Sequence, residues 1–60
     1  MGSIIIRKGI NNNWLVMLHG HDYEHQLAAR DTRMEAEQYA DSYCLLNGIP
    51  RNKQYDERIG

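Results

Sequence analysis

The chain has 60 residues, of which 42% are apolar and 25% charged, and its formal net charge is −1. These values describe one small domain and exclude a basic nucleic-acid-binding tail and low-complexity sequence. A domain of this size buries only about 60% of the surface that its unfolded chain exposes, so a partner, a second copy or a metal would add useful stability.

The cysteine count and the apolar stretches indicate a cellular location. Cys44 is the only cysteine, so no internal disulfide can form, and a reducing, intracellular setting fits this composition. No stretch reaches the roughly 18 apolar residues of a membrane span, and residues 4–6 are too short for a signal-peptide core. We therefore expect a cytoplasmic protein with no membrane partner.

Three strands are predicted in the first half of the chain. β-Branched residues over Ser3–Lys8 predict the first, and three asparagines at 11–13 predict the turn that follows it. Trp14–His19 is predicted as the second strand and residues 23–30 as the third. The alternation of side chains in the third strand predicts one buried face. That face would consist of Tyr23, His25, Leu27 and Ala29.

A helix is the clearest prediction in the second half. Thr32 stands three residues before Glu35, the spacing of a capping box, and Gly48 followed by Pro50 predicts the helix end. The apolar positions between them fall within one stripe at 100° per residue. They are Ala36, Tyr39, Ala40, Tyr43, Cys44 and Leu46.

The order of elements predicts an α+β fold. We expect a three-stranded antiparallel meander followed by one C-terminal helix packed on one face, a βββα domain over residues 1–50. Residues 51–60 are polar, and we expect a mobile tail, from which Tyr55 and Ile59 could dock.

Both faces of the predicted sheet carry apolar side chains. Leu15 and Met17 alternate with other apolar residues in the second strand, as Ile5 does in the first. One helix can cover only one face, so we expect a second copy, packed by face or by strand edge, or a different protein to contact Ile5, Leu15 and Met17. The alternatives are that the tail folds over this face or that it stays exposed. Met34 and Leu45 form a weaker apolar patch on the outer side of the helix.

Three histidines lie within seven residues. His19 and His25 could approach each other across a hairpin, with His21 or Asp22 in the turn, as zinc coordination would require. Cys44 would be a fourth ligand only if the helix crossed that end of the sheet. The spacing is not a familiar zinc pattern, so we predict a polar turn, with no metal and no cofactor. Clustered imidazoles would instead confer pH sensitivity near 6.

No pattern of a catalytic site is recognised. Cys44 lies in the apolar stripe of the helix, where burial would raise its pKa rather than activate it, and it is predicted to be a core residue. Ser3 and Ser42 have no identifiable base, and the sequence contains no phosphate-binding loop, H-E-x-x-H helix or C-x-x-C pair. We expect no enzymatic activity.

Nucleic-acid binding is the alternative function. Residues 31–48 carry one arginine and four carboxylates, a net charge of −3, so the helix would be repelled by phosphate. A sheet could instead present Arg7, Lys8 and Trp14 to DNA, together with the asparagine turn. The charge over residues 1–30 is only +1, which makes this the second choice.

Two resemblances bear on these alternatives. Asn13 and Trp14 open a strand, and the run Asp31-Thr-Arg-Met-Glu-Ala-Glu opens the helix after the third strand. This order resembles the three-stranded sheet and helix of integrase arm-binding domains. The resemblance implies that the sheet contacts DNA. The 60 residues contain neither the basic cluster nor the catalytic domain of that family. The D-T-x-x-E-A signature after a hairpin is similar to antitoxins of the HicB type, which implies a protein partner and a dimer. We assign the chain to neither family.

The sequence therefore predicts a small, non-enzymatic, intracellular protein-binding or regulatory module. We expect it to act through the uncovered apolar sheet face and to be a homodimer or bound to a heterologous protein. Phages and plasmids use domains of this size as regulators or inhibitors. The alternative is a sheet-based DNA-binding module.

Overall fold

A computed structural model describes residues 2–56 of the chain and confirms the predicted βββα arrangement. The elements are β1 (Ser3–Lys8), β2 (Trp14–His19), β3 (Glu24–Arg30), α1 (Arg33–Asn47) and a 3₁₀ helix (Lys53–Tyr55). The strands form one antiparallel sheet in the order β1-β2-β3. Within residues 2–56, no helix has the length and apolar character needed to cross a membrane.

Both predicted ends of α1 are confirmed. The Thr32 hydroxyl accepts a hydrogen bond from the Glu35 backbone N–H at 3.2 Å and donates one to the Glu35 carboxylate at 2.9 Å, which fixes the first turn. Gly48 ends the helix with φ at +66°, a left-handed conformation that favours glycine, and its N–H bonds to the Cys44 carbonyl. The helix bounds therefore follow from local chemistry.

The core lies between α1 and one face of the sheet. Ala36 and Ala40 of the helix pack with fully buried residues of β1 and β2. The sheet contributes Ile4, Ile6 and Val16. Small alanines let the helix approach the sheet closely, while Tyr39, Tyr43 and Cys44 are half-buried around this centre. Leu46, which the helical stripe places in the core, is 83% exposed. That prediction is wrong because Leu46 lies at the edge of the stripe in the last turn of α1.

A β-bulge changes the predicted faces of β3. The register shifts opposite Val16 and Met17, so that Gln26 and Ala28 pair with β2 and Leu27 is the extra residue. Ala28, and not Ala29, therefore lies opposite Val16, and Leu27 and Ala28 both pack against the core. The predicted alternation of four residues is wrong beyond the bulge, and Tyr23 and His25, which were also predicted on the buried face, are exposed.

The segment after the helix lies along the outer edge of β1. Arg51 forms a parallel bridge with Ile4. The Ile4 N–H donates to the Pro50 carbonyl at 2.8 Å, and the Ile4 carbonyl accepts from the Asn52 N–H at 3.0 Å. Residues 51–56 of the segment predicted to be mobile are thus hydrogen-bonded to the sheet. Residues 57–60, with Ile59, lie outside the described part of the chain. The bridging segment covers an edge that would otherwise expose unpaired backbone groups.

The Asp56 carboxylate completes this edge. Its Oδ1 accepts from the Ile6 backbone N–H at 2.8 Å, and its two oxygens receive a bidentate pair from Arg51 at 2.8 and 2.7 Å. Arg33 of α1 approaches Oδ2 at 3.4 Å. The side chains of Asp56 and Arg51 are only 6% and 11% exposed, and hydrogen bonding to Asp56 raises the pKa of Arg51. One carboxylate therefore joins the sheet, the C-terminal segment and the helix.

Replacing Asp56 with asparagine should destabilise the fold strongly. The variant leaves the largely buried Arg51 with only the more distant Glu37 carboxylate, at 4.0 Å, as a counter-charge. We expect the free energy of unfolding in urea to fall by about 3 kcal/mol, a large fraction of what a domain of this size possesses. Asp22→Asn, a matched change at an exposed turn residue, should cost less than about 0.5 kcal/mol. Equal effects of the two changes would contradict the structural role of Asp56.

Candidate functional site

The sheet surface that faces away from α1 is the candidate site, and we call it the open face. The register defines three rows of three residues on it, one residue from each strand. The rows are Ser3, His19 and Glu24; Ile5, Met17 and Gln26; and Arg7, Leu15 and Ala29.

The three residues of the predicted interface all lie on the open face. Ile5 is fully buried, because the 3₁₀ helix packs against β1 and the Tyr55 ring lies 5.4 Å from that of His19. A partner at this face would therefore meet Leu15 and Met17, which are half-buried. One alternative predicted from the sequence was that the C-terminal segment folds over the second face of the sheet. In the structure this segment covers only part of that face, over β1 and next to His19.

A charged cluster crosses the same face. Arg7 donates from Nε and Nη2 to the two Glu24 oxygens at 2.7 and 2.9 Å, and His19 Nδ1 lies 3.1 Å from Glu24 Oε2. Hydrogen bonds from Arg7 outweigh desolvation and, with His19, lower the pKa of Glu24 to about 2. The Glu24 side chain is 30% exposed, so solvent screens part of this interaction. The cluster carries both signs of charge and is close to neutral.

Ser3, His19 and Glu24 form one row, which brings together the residue types of a hydrolytic triad. His19 and Ser3 also line a surface pocket of about 490 Å³, together with residues of both chain ends such as Asn52 and Tyr55. The described residues show no side-chain hydrogen bond between Ser3 and His19, and the Glu24 carboxylate is engaged by Arg7. This row therefore lacks the nucleophile–base contact that acyl transfer requires.

The three histidines are not brought together. His19 lies on the open face, whereas His25 pairs with Leu18 on the α1 side of the sheet and its ring is 5.5 Å from Tyr23. His21 lies exposed in the turn between the strands. Residues 2–56 contain no group of three ligands arranged to hold a metal ion.

The residues of the DNA-binding alternative lie on two faces. Arg7 lies on the open face, whereas Lys8 and Trp14 form a pair on the α1 side. The Lys8 ammonium is 5.5 Å from the Trp14 ring centroid, and the Arg33 guanidinium is 5.1 Å from it. These distances indicate cation–π contacts within the chain. The sheet therefore does not present the three predicted residues on one surface.

Large exposed apolar residues occur on the helix and in the connecting segments: Ile10 in the turn before β2 is fully exposed, Tyr55 beside His19 is 54% exposed, and Leu46 of α1 is 83% exposed. Met34 is 70% exposed and Leu45 is 85% exposed, as the sequence predicts for the outer side of α1. They are separated by 11 positions, or about 16 Å along a helix. Met34 is therefore separate from Leu45, whereas Leu45 and its neighbour Leu46 are both exposed at the C-terminal end of α1.

Comparison of the chain with models of protein families, with curated proteins and with solved structures found no significant match. The two resemblances noted in the sequence thus receive no support from relatives.

Sequence analysis missed the partners of Glu24. Arg7 and Glu24 are 17 positions apart, and Glu24 meets His19 only because the hairpin register sets them opposite each other. The alternation of side chains along a strand does predict that Glu24 and the adjacent His25 lie on opposite faces of the sheet, and the structure shows this. The missing information was the strand register, which no local pattern supplied.

The Glu24 cluster should make stability depend on pH. Because Glu24 has a lower pKa in the folded chain than the usual 4.5, its contribution is fully present above about pH 4.5 and is lost as the pH falls toward about 2. We expect Glu24→Gln to lower the free energy of unfolding by about 1 kcal/mol at neutral pH, after allowance for solvent screening. The difference from the parent should shrink in urea titrations at about pH 3. A constant difference, or one that Asp41→Asn reproduces, would contradict this assignment.

Cys44 should react slowly in the folded protein. It is half-buried against the core, and burial raises the pKa of its thiol. We expect its reaction with an aromatic disulfide reagent at about pH 8 to be at least about tenfold slower in the folded chain than in urea. Equal rates in the two states would show that this thiol is accessible.

Proposed function

We propose that the chain is a small, non-enzymatic protein-binding module that associates through its open face as a homodimer. One observation carries the proposal: Leu15 and Met17 lie half-buried at the middle of a nearly neutral surface, framed by polar side chains. An apolar centre with a polar rim is the usual anatomy of a protein interface.

The sheet edges support association by face rather than by strand pairing. The outer edge of β1 is hydrogen-bonded to the segment around Arg51 and to Asp56. On β3 the bulge disturbs the ladder, and the Arg30 guanidinium donates to the Ala29 carbonyl at 2.7 Å. Bulges and charged side chains are common protections of exposed strand edges.

The charge of the open face favours a protein over DNA. Its one arginine, Arg7, forms a bidentate pair with Glu24, so the face offers no excess of positive charge to phosphate. DNA binding through a sheet requires several cations on one surface. A regulatory role through protein contact is the function that this surface fits.

The dimensions of the open face predict a weak dimer. Three rows on three strands span roughly 10 Å across the sheet and 14 Å along it, which is smaller than a standard interface. We expect a dissociation constant on the order of 10–100 μM. Such an association suits a regulatory module that exchanges partners.

The solution mass tests this proposal. Light scattering after size exclusion should show the mass rising from 7.0 kDa toward about twice that value between about 5 and 500 μM protein. Met17→Lys should keep the chain monomeric throughout, because it buries an unpaired charge at the centre of the contact. Circular dichroism should confirm that the variant is folded.

Leu45→Lys is the matched control, since Leu45 is exposed on the opposite side of the molecule. It should leave the dimer unchanged. A parent that stays monomeric at every concentration, or an equal loss of the dimer in both variants, would refute the open face as the contact.

A further inference from the structure

The C-terminal end of α1 carries the only Asn-Gly pair in the sequence. Asn47 is the last residue of the helix, and Gly48 ends it. Both residues are exposed, and a Cβ added to Gly48 would meet no atom within 4 Å. Asparagine is a chemically labile residue, and a following glycine, which has no Cβ, leaves its backbone nitrogen open to the asparagine side chain. The pair is therefore a reactive sequence within reach of water.

The reaction open to this pair is deamidation. The Gly48 backbone nitrogen attacks Cγ of Asn47, the Cγ–Nδ2 bond breaks, and the proton of the attacking nitrogen leaves with the Nδ2 group as ammonia. The product is a five-membered succinimide ring. Water then opens the ring at one of its two carbonyl carbons, which gives either aspartate or isoaspartate. Isoaspartate has one additional methylene in the main chain.

The folded end of α1 engages both reacting groups. The Gly48 N–H donates to the Cys44 carbonyl, and the Asn47 amide donates from Nδ2 to the Tyr43 carbonyl at 3.0 Å. The attacking nitrogen must lose its proton and the amide must turn toward it, so both hydrogen bonds have to break first. Attack therefore requires the last turn of α1 to open.

The chain beyond Gly48 is tied to the core and to β1. Ile49 packs against the core, and its N–H donates to the Cys44 carbonyl at 3.2 Å. The carbonyl of the next residue, Pro50, accepts from the Ile4 N–H at 2.8 Å. A single residue thus separates the helix end from its first hydrogen bond to the sheet. A main chain lengthened by one methylene at Asn47 cannot satisfy the helix end and the register on β1 together.

We infer that Asn47 is a deamidation site that the closed end of α1 protects, and that its conversion to isoaspartate detaches the C-terminal segment from β1. Gly48 has two roles: its left-handed conformation closes the helix, and its unhindered nitrogen is the nucleophile once the helix end opens. Detachment would expose the backbone groups at the edge of β1 that this segment covers. The inference concerns this edge and is independent of the proposed contact at the open face.

The rate of deamidation tests the protection. At about pH 8 we expect the folded parent to deamidate at Asn47 at least about tenfold more slowly than the same chain unfolded in guanidinium chloride, because only the open helix end reacts. Peptide mapping by mass spectrometry locates the conversion and separates aspartate from isoaspartate. Asn47→Gln is the control, because its longer side chain would have to close a larger ring, and it should not convert in either condition. Equal rates in the folded and unfolded parent, or no conversion in the unfolded chain, would overturn the inference.

Hydrogen exchange tests the consequence of the conversion. In the isoaspartate form, isolated from aged protein by ion exchange, the amides of Ile4 and Asn52 should exchange at least about tenfold faster than in the parent, because their hydrogen bonds join the segment to β1. The amides of β2, at the centre of the sheet, should keep their protection.

Asn47→Asp is the matched control, since it introduces the same negative charge with a normal main chain. That charge lies near the last carbonyls of α1 and is only slightly unfavourable at an exposed position, so Ile4 and Asn52 should stay protected. Equal exchange at these two amides in the isoaspartate form and in Asn47→Asp would contradict detachment. Loss of protection throughout β2 would also contradict it, because the whole fold would then have opened.

Discussion

The fold depends on one buried carboxylate that holds three elements together. Asp56 receives the backbone N–H of Ile6, both terminal nitrogens of Arg51 and, at a longer distance, Arg33. A buried ion pair is stabilising only where its polar atoms are also hydrogen-bonded. Both oxygens of Asp56 meet that condition, whereas the buried Nε of Arg51 has no hydrogen-bond partner among the described residues. In a chain too short for a large apolar core, this polar junction fixes the C-terminal segment on the sheet and the sheet on the helix.

Closing the β1 edge explains why three successive isoleucines are fully buried. With β2 on one side and the segment around Arg51 on the other, β1 becomes an internal strand, and both of its faces are shielded within the chain. A continuous apolar run is typical of such a strand. Ile5 is thereby removed from any interface. On the open face, the larger apolar side chains that stay partly accessible are Leu15 and Met17.

The parts of the fold that could be predicted are those fixed by neighbours in sequence. The strands β1 and β2 and both ends of α1 follow from β-branched runs, a capping box and a left-handed glycine. The bulge at Leu27 could not be read from alternation, because it depends on how β3 pairs with β2. The roles of Arg7 and Asp56 depend on contacts 17 and 50 positions away. Charged residues in polar segments give no local sign of such partners.

The same long-range contacts determine the chemical character of the open face. Two half-buried apolar side chains offer little area, so hydrophobic burial alone would give weak and unselective association. The Arg7 guanidinium and the Glu24 carboxylate meet across this surface at 2.7 and 2.9 Å and balance each other's charge. A face with balanced charge does not attract phosphate, which needs an excess of cations on one surface. On the proposed function, selectivity would therefore have to come from the shape of the surface around Leu15 and Met17 and from the polar groups that frame it.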